Sequence, residues 1–279
     1  MADIYLPYCL VVFKSYCKGR IEMEGYESFK SRIYQFTGIN LSSYKERQMK
    51  RRIESLISRN RFHSYDAYFS ELKTDKTLLE EFINYLTINV SEFRRNPQQW
   101  DVLEKEIMPS IMAKTKKPKI WSAACSTGEE PYTLVMLMSK FMPLSSVEVF
   151  ATDIDSGALE KADIGMYNVK ATKNLPAEDV KCFFDQNGDF YQIKKEVKDR
   201  VRFKKHNLLE DKYPEGCDLV ICRNVMIYFT EDTKSVMYHK FHDALKPDGI
   251  LFVGSTEQII MPNRYKLNPI KTFFYQKKE

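Results

Sequence analysis

The chain has 279 residues, 43% of them hydrophobic, 13% aromatic and 29% charged, a globular balance that excludes a disordered, collagen-like or low-complexity protein. That length predicts one or two domains, and no apolar run approaches the roughly 18 residues of a membrane-spanning helix. Its 43 Lys and Arg against 38 Asp and Glu leave a net charge of +5, an excess that matters only where it is concentrated on one surface.

Residues 1–24 are expected to be an extension. Asp3 comes early, Pro7 breaks the apolar stretch and no small-residue cleavage site follows, so a signal peptide is not expected. From Tyr26 the apolar residues Tyr26, Phe29, Ile33 and Phe36 recur at helical spacing until Gly38 supplies a stop. Over 44–61, Met49, Ile53, Leu56 and Ile57 form one stripe, while Arg47, Lys50, Arg51, Arg52 and Arg59 occupy most of the remaining circumference. Ser64 caps a third helix ending near Leu72, and Leu78, Leu79, Phe82, Ile83 and Leu86 mark a fourth. Residues 25–87 thus read as a small all-α domain.

A connector, 88–96, leads to Asn96-Pro97, an N-cap and first helical position with Trp100, Leu103 and Ile107 facing inward. Beyond it, over 97–279, short apolar strands at 120–123, 147–152, 201–203, 218–222 and 250–254 alternate with helices near 131–141, 156–164 and 230–245. Such alternation predicts an α/β fold with a parallel, doubly wound sheet, to which 265–267 and 272–276 add a final antiparallel pair. An insertion, 165–199, contains a helix-like piece over 177–184 and a hairpin-like piece around Asp185 to Asp189. Its length fits either a functional element or a packing subdomain.

In an open α/β sheet the ligand lies beyond the carboxyl ends of the strands. The first such loop, Ala124 to Glu130, has one glycine, Gly128, so neither a dinucleotide fingerprint nor a P-loop is present. Glu129 and Glu130 oppose an anionic ligand and suit one carrying an amine and a sulfonium, although a helix N-terminus also favours glutamate for its dipole. Asp153 ends the second strand, where an acid accepts hydrogen bonds from ribose hydroxyls, and Asn207 after the third offers a polar group for an adenine edge. Together they point to S-adenosylmethionine. The six cysteines form no C-x-x-C pair and read as reduced thiols in a cytoplasm; His239 and His242 lack a third ligand, and no metal is expected.

Residues Trp121 to Tyr132, Ala151 to Asp155, Cys222 to Phe229 and Leu245 to Gly249 closely resemble the CheR-type chemotaxis receptor glutamate methyltransferases, over about 25–279. The resemblance implies a Rossmann-like class I S-adenosylmethionine-dependent methyltransferase sheet with a small all-α amino-terminal domain and a small β-subdomain insertion. It implies transfer of methyl from S-adenosylmethionine to receptor glutamates, giving a methyl ester and S-adenosylhomocysteine, in the cytoplasm at membrane receptor arrays. Carried over by residue, Asn89, Ser91 and Arg95 are the connector's cofactor contacts, Glu130 faces the methionyl group, Asp153 the ribose, Asn207 and Leu208 the adenine, and Arg223 and Asn224 complete the set. Arg95 and Tyr228 stand beside the transferring methyl. Arg94 departs from the family's usual aromatic at that point.

The basic second helix, with Arg47, Lys50, Arg51, Arg52 and Arg59, is expected to dock the acidic helical bundle of the receptor, the alternative being a solvated polar face. In some relatives the insertion captures a peptide at the receptor's extreme C-terminus by strand addition; here the hairpin is short, and a tether-independent enzyme is expected. Two further classes compete. A nucleic-acid methyltransferase would need a base-flipping motif where Arg223-Asn224-Val225 stands, and a non-catalytic adaptor would not need Arg95, Tyr228 and Asp153 intact. Neither a nucleic-acid partner nor membrane insertion is expected.

Overall fold

The computed structural model describes residues 24–278; the expected extension lies outside them except for Glu24. Helices α1 (Tyr26–Thr37), α2 (Glu46–Arg59), α3 (Tyr65–Leu72) and α4 (Lys76–Thr87) pack around Phe29, Tyr65, Tyr68 and Phe82. Gly38 ends α1 in the left-handed region at φ 74°. The Ser64 hydroxyl caps α3 by accepting from the Ala67 N–H, and the Asp75 carboxylate caps α4 by accepting from Leu78. The Met49, Ile53, Leu56 and Ile57 stripe is buried. Phe36 is not: it stands 41% exposed at the margin of this core, edge-on to Phe69.

Helix α5 (Pro97–Val102) runs through a wider turn, Leu103–Ile107, into α6 (Met108–Met112), burying Trp100, Leu103 and Ile107. Asn96 does not cap α5 through its side chain. It sits at φ 60°, and its carboxamide oxygen accepts from Arg223 instead.

The remaining elements are β1 (Ile120–Ala123), α7 (Glu129–Met138), β2 (Val149–Asp153), α8 (Ser156–Ile164), β3 (Met166–Asn168), α9 (Ala177–Phe183), β4 (Phe184–Asn187), β5 (Phe190–Ile193) and α10 (Lys195–Lys198). There follow β6 (Val201–Lys205), β7 (Cys217–Cys222), α11 (Glu231–Ala244), β8 (Leu245–Val253), β9 (Leu267–Lys271) and β10 (Phe274–Lys277). The large sheet has the order β6-β2-β1-β7-β8-β10-β9, parallel from β6 to β8, with β10 antiparallel to both neighbours. Both faces are covered: Ile120, Leu219 and Ile221 enter one core, Trp121, Val220 and Cys222 the other. Two-sided burial explains why these strands read as unbroken apolar runs. The expected α/β architecture is present.

The insertion forms a second, antiparallel sheet, β3-β5-β4. Strand β3 is an addition to the hairpin expected from sequence. It has three residues of which Tyr167 alone is buried, too few for a period of two to be visible. Phe93 of the connector is fully buried between the insertion's aromatics, 4.8 Å from the Tyr167 ring and 5.4 Å from Phe184. Arg94 turns away at φ 47° to pair with Asp101 at 2.7 Å and Glu104 at 3.4 Å, so the departure from an aromatic is accommodated by a local ion-pair cluster. Truncating Phe93 removes the plug between connector and insertion. Phe93→Ala is expected to lower the unfolding free energy by about 3–5 kcal/mol, read from urea denaturation; a loss under about 1 kcal/mol would show that the site collapses to fill the cavity.

Candidate functional site

The chain leaves β1 toward β2 on one side and later returns to β7 on the other, which opens a crevice at the carboxyl edge of the sheet. A cavity of about 270 Å³ lies there, walled by the loops after β1, β2, β6 and β7 and closed by the end of α4 and the connector. Asn89, Ser91, Arg95, Glu130, Asp153, Asn207, Leu208, Arg223, Asn224 and Tyr228 all line it. Their local bonding divides them by what each side chain is free to do.

Asp153 is 6% exposed. The loop after β1 bends through two left-handed residues, Ala124 and Ser126, and so aims the Ser126 N–H at Asp153 Oδ2, 2.7 Å away, while the Asp155 N–H donates to Oδ1 at 3.0 Å. Each oxygen retains a lone pair for a ligand hydroxyl. Burial lifts the Asp153 pKa to about 6, against the pull of those N–H bonds. Glu130 accepts from the Ser122 hydroxyl at 2.8 Å and faces Arg223 Nη1 at 3.8 Å; burial raises its pKa and Arg223 opposes the rise. Glu129, by contrast, turns to the Thr127 and Ser91 hydroxyls.

Other candidates are engaged in construction. Asn89 donates to Asp155 Oδ2 at 2.6 Å and to the Thr87 hydroxyl, and accepts from the Ser126 hydroxyl. Asn207 donates to the Gly38 carbonyl and accepts from the Leu209 N–H, so its amide joins the loop after β6 to the end of α1 and is already partnered at both atoms. Its neighbour His206, not singled out from sequence, lines the cavity with a buried, unpartnered Nδ1; burial lowers its pKa and favours the neutral ring. Arg223 Nη2 donates to the Arg95 carbonyl, Asn96 Oδ1 and Gln99 Oε1 at 2.8–3.1 Å, with the guanidinium over the Phe252 ring. It fixes the connector to the sheet.

At the mouth, Arg95 Nη1 donates to the Val90 carbonyl at 3.0 Å. Burial raises the Tyr228 phenol and Glu257 adds to the rise, while Arg52 and Arg95 oppose it. The helical unit forms the facing wall: Tyr44 lines the cavity and packs on Phe229, the Lys45 N–H donates to the Tyr228 carbonyl at 2.8 Å, and Thr230 donates to Ser43. The expected basic docking set therefore splits. Arg52 donates to the Tyr85 carbonyl and lies over the Tyr85 ring, and Arg59 pairs with Glu81 at 2.6 Å, because α4 packs beside that side of α2. Lys50 is half-buried over Tyr26. Arg47 and Arg51 are exposed and make no ion pair among the described residues. His239 packs against Tyr265.

Residues 24–87 match the family model described as CheR methyltransferase, all-alpha domain, and 89–274 the one described as CheR methyltransferase, SAM binding domain. The chain is 44% identical to the chemotaxis protein methyltransferase of Listeria innocua, over 86% of this chain and 92% of the relative. It is 43% identical to that of Listeria monocytogenes over the same shares, and 36% identical to that of Borreliella burgdorferi over 85% and 91%. An ionised Asp153 accepting from ligand hydroxyls predicts a measurable loss. Asp153→Ala is expected to weaken S-adenosylhomocysteine binding about 10–100-fold by calorimetry, the equivalent of a charge-assisted hydrogen bond. In the unsubstituted chain the affinity is full above the folded pKa of about 6 and falls as pH drops through it, because protonation removes an acceptor. A flat profile from pH 7.5 to 5.5 would place the hydroxyls elsewhere.

Proposed function

The chain belongs to the CheR methyltransferase family, and from that premise we propose that it methylates glutamate side chains of chemotaxis receptors, with S-adenosylmethionine as donor and a glutamyl methyl ester as product. One observation carries this reading. The cavity is lined by carboxylates, at Asp153 and Glu130, and by Arg95 at its mouth, while Arg223 opposite Glu130 is taken up in holding the connector. That polarity fits a cationic donor within and an anionic acceptor arriving from outside. The first loop, with its single Gly128, lacks the glycine-rich cradle a phosphate ligand would need.

Bound there, S-adenosylmethionine supplies a methyl group activated by its sulfonium. Asp153 would accept the ribose hydroxyls, Glu130 would balance the methionyl ammonium, and Asn224 with the backbone near Leu208 would border the remainder. Because the acceptor glutamate is ionised at neutral pH, with a reference pKa of about 4.3, no residue need act as general base. Arg95 steers the incoming carboxylate by charge, and the Tyr228 hydroxyl sets its angle; orientation of this kind supplies up to about 7–11 kcal/mol of a barrier. The hold of Arg95 on the Val90 carbonyl moderates its grip on the acceptor, and a weaker ground-state grip favours turnover.

The helical unit, with the exposed Arg47 and Arg51 of α2 and the half-buried Lys50 beside them, is the proposed docking face for an acidic receptor bundle. No described helix is long and apolar enough to cross a membrane, and the site of action we propose is the cytoplasmic side of receptor arrays. The turn between β4 and β5 is short, Gly188 and Asp189 separating the strands, and this supports recognition without a C-terminal receptor tether.

Labelled S-adenosylmethionine incubated with a receptor cytoplasmic fragment should leave label on glutamates that alkali releases as methanol; alkali-stable label, or label on nucleic acid, would sink the reading. Arg47→Glu combined with Arg51→Glu should raise the receptor KM about fivefold or more at low salt, with S-adenosylhomocysteine affinity unchanged. A free receptor C-terminal peptide should not compete. An unaltered KM would remove α2 from the docking face.

A further inference from the structure

Glu257 lies outside the cavity lining and has no role in the chemistry above, yet its carboxylate is buried at the carboxyl edge of the sheet, 5% exposed. The chain turns back after β8, the Glu257 N–H donating to the Gly254 carbonyl, so that the side chain enters the loop after β7. Its Oε2 accepts from the Asn224 N–H at 2.6 Å and from Gly254 at 2.8 Å; Oε1 accepts from Ile227 at 3.3 Å. Gly254 leaves the room: a Cβ there would stand 2.5 Å from Oε2 and 2.8 Å from the Asn224 nitrogen.

The loop needs such a partner. Asn224 is left-handed at φ 60°, and Met226–Tyr228 form a single 3-10 turn whose leading N–H groups have no acceptor within it. The carboxylate caps that turn. Asn224 Oδ1 is thereby held as a buried, unpartnered acceptor in the cavity wall, and the next residue after the capped Ile227 is Tyr228. The Lys45 N–H on the Tyr228 carbonyl pins the same residue from the opposite side.

We propose that Glu257 is a positioning residue for methyl transfer, acting through the loop it caps to set the Tyr228 hydroxyl; this rests on the methyltransferase reading above. An ionised carboxylate accepts every N–H offered, whereas the amide of Glu257→Gln turns a donor toward one of them. The variant should reduce kcat at least about tenfold, with the KM for S-adenosylmethionine rising by clearly less, because Asn224 is one of many residues lining the cavity whereas Tyr228 faces the reacting groups. In a Tyr228→Phe background the same change should cost less than about threefold, since two residues acting as a unit are non-additive. Independently of activity, hydrogen exchange at the Asn224 and Ile227 amides should quicken about tenfold or more, with Ile221 in β7 unchanged. Glu257→Asp, which keeps the charge and shortens its reach to the Asn224 and Ile227 amides, should give the same pattern and stands in should Glu257→Gln fail to fold.

Unchanged exchange, an undiminished kcat, a full additional loss beside Tyr228→Phe, or a KM rising in step with the fall in kcat would each overturn the positioning role. A parent enzyme that transfers no methyl group to the receptor fragment fails the functional reading instead, and the exchange measurement still decides whether Glu257 holds the loop.

Discussion

A carboxylate taken out of water costs several kcal/mol unless donors surround it, and the carboxyl edge of this sheet is organised around buried ones, among them Asp153, Asp155 and Glu257. Each draws a different stretch of chain toward itself. Asp153 takes the Ser126 N–H and so shapes the loop after β1. Asp155 caps α8 through the Ala158 N–H and takes Thr87 from the end of α4 and Asn89 from the connector. Glu257 takes Asn224 and Ile227 from the loop after β7. The strained backbone at Ala124, Ser126 and Asn224, all left-handed without being glycine, persists because these bonds over-determine it.

The same bonds join the two folding units across the cavity. Asp155 binds the chain as it leaves α4, while on the facing side residues 43–45 exchange backbone hydrogen bonds with 228–230. The helical unit is thus a wall of the site as well as a surface beside it, and Tyr44 brings its side chain into the lining.

Much of this organisation is legible in sequence where a residue's role follows from its own element. The four helices declare themselves by their stripes and caps, the buried strands by their apolar runs, and Asp153 by its place at a strand end. What the sequence conceals is partnership across the fold. Asn89, carried over from the family, and Asn207, which follows the third strand, both line the cavity, but the groups that their amides also hold, Asp155 and the Gly38 carbonyl, come from elsewhere in the chain. Arg52 and Arg59 look equivalent to Arg47 and Arg51 on a helical wheel, and only the packing of α4 separates them. Glu257 follows the last apolar strand with no pattern to mark it; its signal is the three-residue return from Gly254, visible only once the Cβ that is missing there is known to make room.

Gly128 shows how one residue's meaning changes with its surroundings. In sequence it is the single glycine of the first loop, too few for phosphate binding. In the fold it sits at φ 94°, and an added Cβ would meet Tyr167 Oη and Ala162 Cβ, each at 2.9 Å. Tyr167 belongs to β3 of the insertion, and its hydroxyl donates to the Thr127 carbonyl at 2.7 Å. The glycine is needed so that the insertion can press against the cofactor-side loop, and Phe93, packed on Tyr167 from the connector, seals the other side. The insertion is therefore mechanically continuous with the loop that presents Ser126 to Asp153. A force applied to β3 reaches that loop through one hydrogen bond and one close contact, so a partner seated on the insertion would act on the loop through Tyr167.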